Sequence, residues 1–284
     1  MCNDIFSGLS QLGLGDMAGM DLFEDDKKAE TAGDEGVNVK QPEITEEDLL
    51  FDKAYTCPCC EKKIKSKTIR AGKNKLVSQD TDLRAKYTLV DPVKYDCIVC
   101  NNCGYAALVR YFDKSTSAQL KLIKENISTK FKGVDETAPT YTYDEALVRF
   151  QLALANAVVK KARNSEKAFI CLKTAWLLRG KAENLPADME DIEEVRRELH
   201  KQEMGYIENS YKGFKIAMQT EEFPICGLDE FTFLYLTAEL GRKCKDYNVS
   251  MKLVSDIITS PNSSNRIKDK ARELKDRIRE DVKK

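Results

Sequence analysis

The chain has 284 residues, of which 33% are charged and 42% hydrophobic, and its formal net charge is −1. This length suffices for one large or two modest domains with a buried core. The balanced charge excludes a uniformly basic nucleic-acid-binding protein. No apolar run approaches the roughly 18 residues that cross a bilayer. The first twenty residues contain no Lys or Arg, whereas a secretory signal begins with positively charged residues. The sequence therefore predicts a cytoplasmic protein without membrane contact.

Residues 1–50 are predicted to be a disordered N-terminal segment followed by an acidic linker. Residues 1–20 are apolar and rich in glycine, and a segment this short does not hold a helix alone. A second interpretation stays open for residues 1–20. Their apolar side chains suit a peptide that becomes helical in the groove of a partner.

Residues 51–114 are predicted to form a zinc-ribbon-like module. Short β-prone pieces at 67–70, 76–79 and 95–99 alternate with Gly, Asn and Asp turns, as in a small antiparallel sheet. Asp80 and Asp82 follow the second piece. We interpret these carboxylates as turn caps, with a site for a hard cation as the alternative.

Residues 115–284 have helical periodicity. Thr142 and Glu145 form a capping box, and the helix that follows is expected to bury a stripe of Leu147, Phe150, Leu154 and Val158. Further helices are expected after Ser165, at about 188–218, after Asp229, at about 247–259, and from Ser264 onwards.

Short turns join these helices, which is typical of stacked αα-hairpins that cover one another's apolar faces. We therefore predict a mainly α protein with a small β zinc ribbon, in which residues 115–284 form a tetratricopeptide-like helical domain. The hairpin at 231–261 comes closest to that repeat. A generic helical bundle is the alternative.

The cysteines are the most specific signal in the chain. Six of the ten lie in two tight clusters, which indicates metal ligands and not disulfides. Two C-x-x-C turns, Cys57 to Cys60 and Cys100 to Cys103, supply four thiolates for one tetrahedral Zn²⁺. Gly104 is expected to take a positive φ after the second turn. Four protein ligands leave no position for water, so the zinc is predicted to be structural.

Two further cysteines leave alternatives to this ligand set. Cys97 forms a second C-x-x-C with Cys100, but a glycine follows only the 100/103 pair, which favours that pair. Cys97 is then expected on a strand as a small apolar side chain. In the alternative, Cys59 or Cys97 replaces a ligand or serves as a redox sensor.

At these residues the chain resembles DUF2225, a bacterial family of unknown function. The resemblance covers about residues 50–260 and departs from the family pattern at Cys59, Cys97 and Asn101. It implies a zinc ribbon plus a helical repeat and supplies no reaction. The segments that carry it are Phe51-Asp52-Lys53, Cys57-Pro58-x-Cys60, Lys65-Ser66-Lys67, Asp80-Thr81-Asp82, Asp91-Pro92-x-x-Tyr95-Asp96, Cys100-x-x-Cys103-Gly104-Tyr105-Ala106-Ala107 and Phe223-Pro224-Ile225-x-Gly227-x-Asp229-Glu230.

The segment 62–75 between the cysteine pairs is basic and contains no acid. Beside a zinc site, such a segment suits phosphate binding, although a solvated basic hairpin is the favoured interpretation because charge runs usually face water. Its seven cations are Lys62, Lys63, Lys65, Lys67, Arg70, Lys73 and Lys75.

No catalytic constellation is visible in the sequence. His200 is the only histidine, and we expect it on the surface of the long helix. No Ser–His–Asp arrangement or phosphate-binding glycine loop is present, so no enzymatic activity is expected. The function predicted first is a zinc-binding interaction protein whose helical repeat binds a protein or peptide. Nucleic-acid binding is the alternative, and a thiol redox sensor is third.

Overall fold

The computed structural model describes residues 44–134 and 136–283. The predictions made for residues 1–43 lie outside these residues. Residues 44–50 belong to the predicted linker, yet Glu47–Leu49 forms a 3-10 turn and Leu49 is completely buried. Folded structure therefore begins before the predicted boundary at residue 51.

Six short strands pair as three antiparallel hairpins, each a separate two-stranded sheet. A two-stranded hairpin is marginally stable at best in water, so each of the three depends on packing against the rest of the chain. The strands are β1 (Leu50–Thr56), β2 (Lys63–Ile69), β3 (Leu76–Gln79), β4 (Ala85–Tyr87), β5 (Cys97–Val99) and β6 (Ala106–Leu108).

Helices make up most of the chain after residue 116, which confirms the predicted fold class of a mainly α protein with a small β portion. The first helix continues as a π-helical turn at Lys124–Ser128. None of the helices in the described ranges combines the length and the apolar character that a bilayer crossing requires. The helices are α1 (Ser117–Ile123), α2 (Tyr143–Val159), α3 (Asn164–Glu183), α4 (Ile192–Thr220), α5 (Glu230–Lys243), α6 (Tyr247–Thr259) and α7 (Asn265–Lys283).

Local sequence signals placed the helix starts well. The capping box is present at α2, where the Thr142 hydroxyl accepts from the Glu145 backbone N–H and the Glu145 carboxylate accepts from that of Thr142. Asp229 caps α5 by accepting from the Thr232 N–H at 3.0 Å. Both interactions satisfy backbone donors that a helix end leaves without partners.

The buried face of α2 differs from the predicted stripe. Val158 is 59% exposed, and the buried positions centre on Phe150 and three alanines, Ala146, Ala153 and Ala157. These small side chains allow α2 to approach both α3 and the β5–β6 hairpin closely. A pattern that counts only large apolar residues misses a face built from alanine.

The largest hydrophobic core joins the β5–β6 hairpin to helices α2 to α5. It includes Val99 and Leu108 from the hairpin together with Phe150, Leu172 and Phe214 from the helices. Residues on both sides of the predicted boundary between 114 and 115 thus share one core. The zinc-ribbon-like part is held against the helices by the same hydrophobic burial that stabilises the helices themselves.

The turn between β3 and β4 inserts charged side chains between the helices. Asp82 is completely buried, and its carboxylate accepts hydrogen bonds from Arg179 Nη2 at 2.6 Å and Lys243 Nζ at 2.8 Å. Thr81 Oγ1 donates to buried Glu239 at 2.6 Å, and Asp80 accepts from Arg179 Nη1 at 2.9 Å. The carboxylates therefore pair with helix cations, which corrects the interpretation of both as turn caps.

These contacts keep Asp82 ionised inside the protein. Burial alone would raise the pKa of this carboxyl group. The hydrogen bonds from Arg179 and the charges of Lys243 and Arg179 outweigh burial and hold the pKa well below its usual range. The network therefore stabilises the folded chain when Asp82 is ionised in both the folded and unfolded states.

We expect Asp82→Asn to lower the free energy of unfolding at pH 7 by about 3 kcal/mol, because it removes the buried charge that pairs with Lys243 and with Arg179. The folded-state pKa is depressed, so the stability from Asp82 is fully present above its unfolded pKa of about 3.9. That stability is lost as the pH falls towards the folded-state pKa of Asp82. The difference in free energy of unfolding between wild type and variant should therefore become smaller below about pH 4. Urea denaturation at a series of pH values measures this difference.

Asp269→Asn is the matched control, because the Asp269 carboxylate pairs with Arg272 on the exposed surface of α7. Its cost should stay below about 1 kcal/mol at every pH. Equal costs for the two substitutions at pH 7 would contradict the assignment of the buried turn as a stabilising contact.

Candidate metal centre

The two C-x-x-C segments form the tips of two different hairpins. Cys57 to Cys60 connects β1 to β2, and Cys100 to Cys103 connects β5 to β6. In each tip the first cysteine's backbone N–H donates to the carbonyl oxygen five residues later, Cys57 to Lys62 at 3.0 Å and Cys100 to Tyr105 at 2.8 Å. The two tips therefore share one backbone geometry.

A left-handed residue follows the second cysteine of each tip. Glu61 has a φ of 62° and Gly104 a φ of 72°, so the predicted positive φ at Gly104 is confirmed. A Cβ at Gly104 would lie 2.6 Å from Phe131 Cγ, which is too close for a side chain. Glycine at position 104 thus serves both the backbone turn and the close approach of Phe131.

The structure brings the four predicted ligands together. All four sulfurs, from Cys57, Cys60, Cys100 and Cys103, lie within 4.8 Å of one another. The separations are 3.7 Å for Cys57–Cys103 and 3.6 Å for Cys60–Cys100. A tetrahedron with metal–sulfur bonds of about 2.3 Å has edges of about 3.8 Å. The sulfur positions fit a four-coordinate metal ion.

The protonation of the four cysteines also favours a bound cation. Hydrogen bonding to Cys100 and burial raise the pKa of Cys57 to about 12. Hydrogen bonds from Cys103 and Cys57 lower the pKa of Cys100 to about 2, and the bond to Cys100 raises that of Cys103. Four thiolates at these distances repel one another, so the sulfurs cannot all lose their protons unless a cation replaces them.

An apolar shell surrounds the sulfurs. Ile98, Tyr105, Phe112 and Ile123 are completely buried against the cysteines. This packing covers Cys57, Cys100 and Cys103, while Cys60 is half-buried, and it holds the sulfurs in place. The cluster therefore lies inside a small core of its own and not on the open surface.

Asn156 supports the second tip from helix α2, and the sequence analysis missed it. The side chain is completely buried, and its Nδ2 donates to the Gly104 carbonyl at 3.0 Å. The one available signal was a polar residue on the alanine-rich buried face of α2, between Ala153 and Ala157. That face became visible only once the packing of α2 was known.

The two spare cysteines lie outside the four-sulfur cluster. Cys97 is buried in the larger core, where its Sγ lies 3.3 Å from the Arg149 carbonyl oxygen, and burial raises the pKa of its thiol. Cys59 is buried beside Cys103 and Ser128, and burial raises its pKa as well. The burial of Cys97 matches the expectation of a small apolar side chain on a strand.

Two asparagines in the second tip form hydrogen bonds that hold neighbouring segments in place. Asn101, where the chain departs from the family pattern, accepts from the Val134 N–H at 2.7 Å and donates to the Val134 carbonyl at 3.0 Å. Asn102 Oδ1 accepts from Lys62 Nζ at 2.5 Å, which joins the two tips directly. Lys62 is thus a bridge within the centre.

The other basic residues of segment 62–75 lie along the β1–β2 hairpin and the chain that follows it. Lys63, Lys65 and Lys67 share one face of β2, because side chains alternate along a strand. Lys67 lies 5.9 Å from the Tyr141 ring, and Arg70 Nε donates to the Leu50 carbonyl at 3.2 Å. Across residues 44–134 and 136–283, no ion pair involves a cation of this segment.

His200 does not approach the sulfurs. Its side chain is 69% exposed, and Nδ1 lies 3.3 Å from Glu203 Oε2 at the edge of the buried charge network. The expected surface position is confirmed.

Comparison with known proteins yields one relationship. No curated protein and no solved structure matches the chain. One family model matches residues 50–278, which includes both cysteine tips and all but the end of the helical part. The chain therefore belongs to DUF2225, a family described as an uncharacterized protein conserved in bacteria.

Proposed function

We propose that this chain is a zinc-binding interaction protein, in which one structural Zn²⁺ joins the hairpin tips and the helical part binds a protein or peptide. The four clustered sulfurs carry the metal assignment. A set of four thiolates suits Zn²⁺, which is borderline-soft and accepts tetrahedral coordination without a preference from d-electrons. Four protein ligands leave no place for a reactive water, so the zinc is assigned no catalytic role.

The structural role of the zinc follows from the hairpins that it would join. In the β1–β2 hairpin, most side chains of β1 are exposed and most of β2 are half-buried, and its cysteine tip meets the β5–β6 hairpin, which is buried in the main core. A metal at the tips would tie the exposed hairpin to the buried one. Binding energy at such a site contributes directly to folding.

A groove between helices α4, α5 and α6 carries the partner-binding part of the proposal. Its volume is about 680 Å³. Met218, Phe231, Leu234, Val249 and Leu253 supply apolar surface, and charged groups of both signs border it, including Lys215, Glu230, Lys252 and Asp256.

This composition suits an amphipathic helical segment of a partner, whose apolar side chains would lie on the floor between polar rims. The flexible side chain of Met218 adapts to different apolar anchors. We therefore assign a helical peptide, and not a small molecule, to the groove.

A second candidate function is nucleic-acid binding, which the basic segment favours. The cations of Lys63, Lys65 and Lys67 project from one face of β2 and make no ion pair within the described residues. Unpaired cations in a row suit a phosphate backbone. Tyr141, which lies near Lys67, is buried, so it offers no stacking platform for a base.

The third candidate, a thiol redox sensor, receives little support. Burial raises the pKa of both spare thiols, Cys59 and Cys97. Oxidant sensing needs an exposed thiol with a lowered pKa. We therefore do not propose it.

Elemental analysis should find one zinc per chain in the wild type and little zinc in Cys103→Ser, which removes one of four ligands. The variant should also lose several kcal/mol of its free energy of unfolding and therefore unfold at a lower temperature. Cys59→Ser is the matched control, because Cys59 lies in the first tip but outside the cluster, and it should keep its zinc. Full zinc in Cys103→Ser would contradict the ligand set.

A photoreactive amino acid at position 231, in the groove, should crosslink to a specific protein in the chain's native cells. The same group at Val282, which is 61% exposed near the end of α7, should not. Leu234→Glu places a charge on the groove floor and should abolish the crosslink while the circular dichroism spectrum stays unchanged. Identical products from positions 231 and 282 would reject the groove as the binding site.

For the nucleic-acid candidate, the salt dependence of oligonucleotide binding is decisive. Replacing Lys63, Lys65 and Lys67 with glutamine should reduce the magnitude of the slope of log K against log salt concentration by about 2 to 3. Each phosphate contact contributes about 0.9 to this slope for duplex DNA. Neutralising three exposed lysines elsewhere, Lys130, Lys201 and Lys212, should leave the slope unchanged. Equal slopes in all three proteins, or no binding at low salt, would reject this candidate.

A further inference from the structure

A second cavity lies where the β3–β4 turn meets α3, α5 and the start of α7. Its volume is about 400 Å³, which is in the range of small-molecule sites. Neither the sulfur cluster nor the groove between α4 and α6 shares residues with it. Its apolar walls come from four parts of the chain and consist of Leu83, Phe169, Trp176, Leu228 and Leu236.

Two cations border this cavity. Arg266 and Lys270 lie four residues apart on α7, hence on the same side of the helix. Neither forms an ion pair within residues 44–134 and 136–283; Lys270 Nζ donates instead to neutral Gln79 Oε1 at 2.6 Å. Burial and the charge of Arg266 lower the pKa of Lys270. The border of the cavity thus carries positive charge that the fold leaves without a counterion.

The nearby carboxylates do not neutralise these cations. Glu273 acts on Lys270 from the next turn of α7, but its carboxylate pairs with Arg277 at 3.4 Å. Asp229 lies beside Thr232, which lines the cavity, and accepts from both the backbone N–H and the hydroxyl of Thr232. Within the described residues, both carboxylates thus have partners other than Arg266 and Lys270.

Trp176 provides a second, independent observation. This side chain lines the cavity and is only 7% exposed, yet its Nε1–H has no acceptor among the described residues. A buried donor without a partner costs free energy. Ser264 and Arg266, at the N-terminal end of the 19-residue helix α7, also border the cavity, and helix N-termini favour anions.

We propose that this cavity binds an amphipathic small anion, whose carboxylate or phosphate group lies between Arg266 and Lys270 and accepts a hydrogen bond from Trp176 Nε1, and whose apolar body packs against the leucines of the walls. Guanidinium and ammonium groups pair with either head group. The walls contribute hydrophobic burial, which requires an apolar chain or ring. This function is separate from the zinc site and from partner binding.

The single tryptophan makes the proposal directly measurable. Titration with decanoate or decyl phosphate, below their micelle concentrations, should change the fluorescence of Trp176 saturably, and the tighter of the two identifies the preferred head group. Decanol and decyltrimethylammonium should bind at least tenfold more weakly. Inorganic phosphate alone should also bind at least tenfold more weakly than decyl phosphate, because it lacks an apolar body.

Arg266→Gln with Lys270→Gln should weaken binding of the better anion at least tenfold. Lys268→Gln with Lys275→Gln is the matched control, because it removes the same charge from α7 at positions that do not line the cavity. Zinc content and the groove crosslink should be unchanged in both double variants, which separates this proposal from the proposed function. Equal affinity for decanol and decanoate, or equal loss in both double variants, would overturn it.

Discussion

The meeting of two hairpin tips around four sulfurs is the constraint on which the N-terminal half depends. Each hairpin has only two strands and is marginal by itself. The β5–β6 hairpin is anchored in the main core through Val99 and Leu108, whereas most side chains of β1 are exposed. The Cys57 and Cys60 sulfurs therefore meet partners that the helices already hold in position.

A second joint ties the same region to the helices by charge. The β3–β4 turn places Asp82 between Arg179 of α3 and Lys243 of α5, and Thr81 reaches Glu239. A buried ion pair of this kind adds little net stability compared with an apolar contact, but breaking it is costly. The ion pairs therefore select one position for the turn. From residue 44 onwards, the chain forms one compact unit.

These two joints position the surfaces to which we assign function. Leu83, in the charged turn, also forms a wall of the cavity that Trp176 and Arg266 line, so the turn both fastens the sheet and shapes a binding site. The groove on α4 to α6 lies on helices outside the sulfur cluster. The four-sulfur cluster, the groove and the cavity share no residues, so each of the three proposed binding sites can be tested separately.

Local patterns in the sequence were enough to identify the two C-x-x-C turns whose cysteines cluster, the positive φ at Gly104, the caps at Thr142 and Asp229, and most helices, because each depends on residues close together in the chain. Only the tertiary structure decided the partners of Asp82, the alanine face of α2, the support of Gly104 by Asn156 and the cavity beside Arg266. Asn156 and Gly104 lie 52 positions apart, and Leu83 and Arg266 lie more than 180 apart. Neither spacing nor periodicity specifies such contacts, since they follow from how whole elements pack.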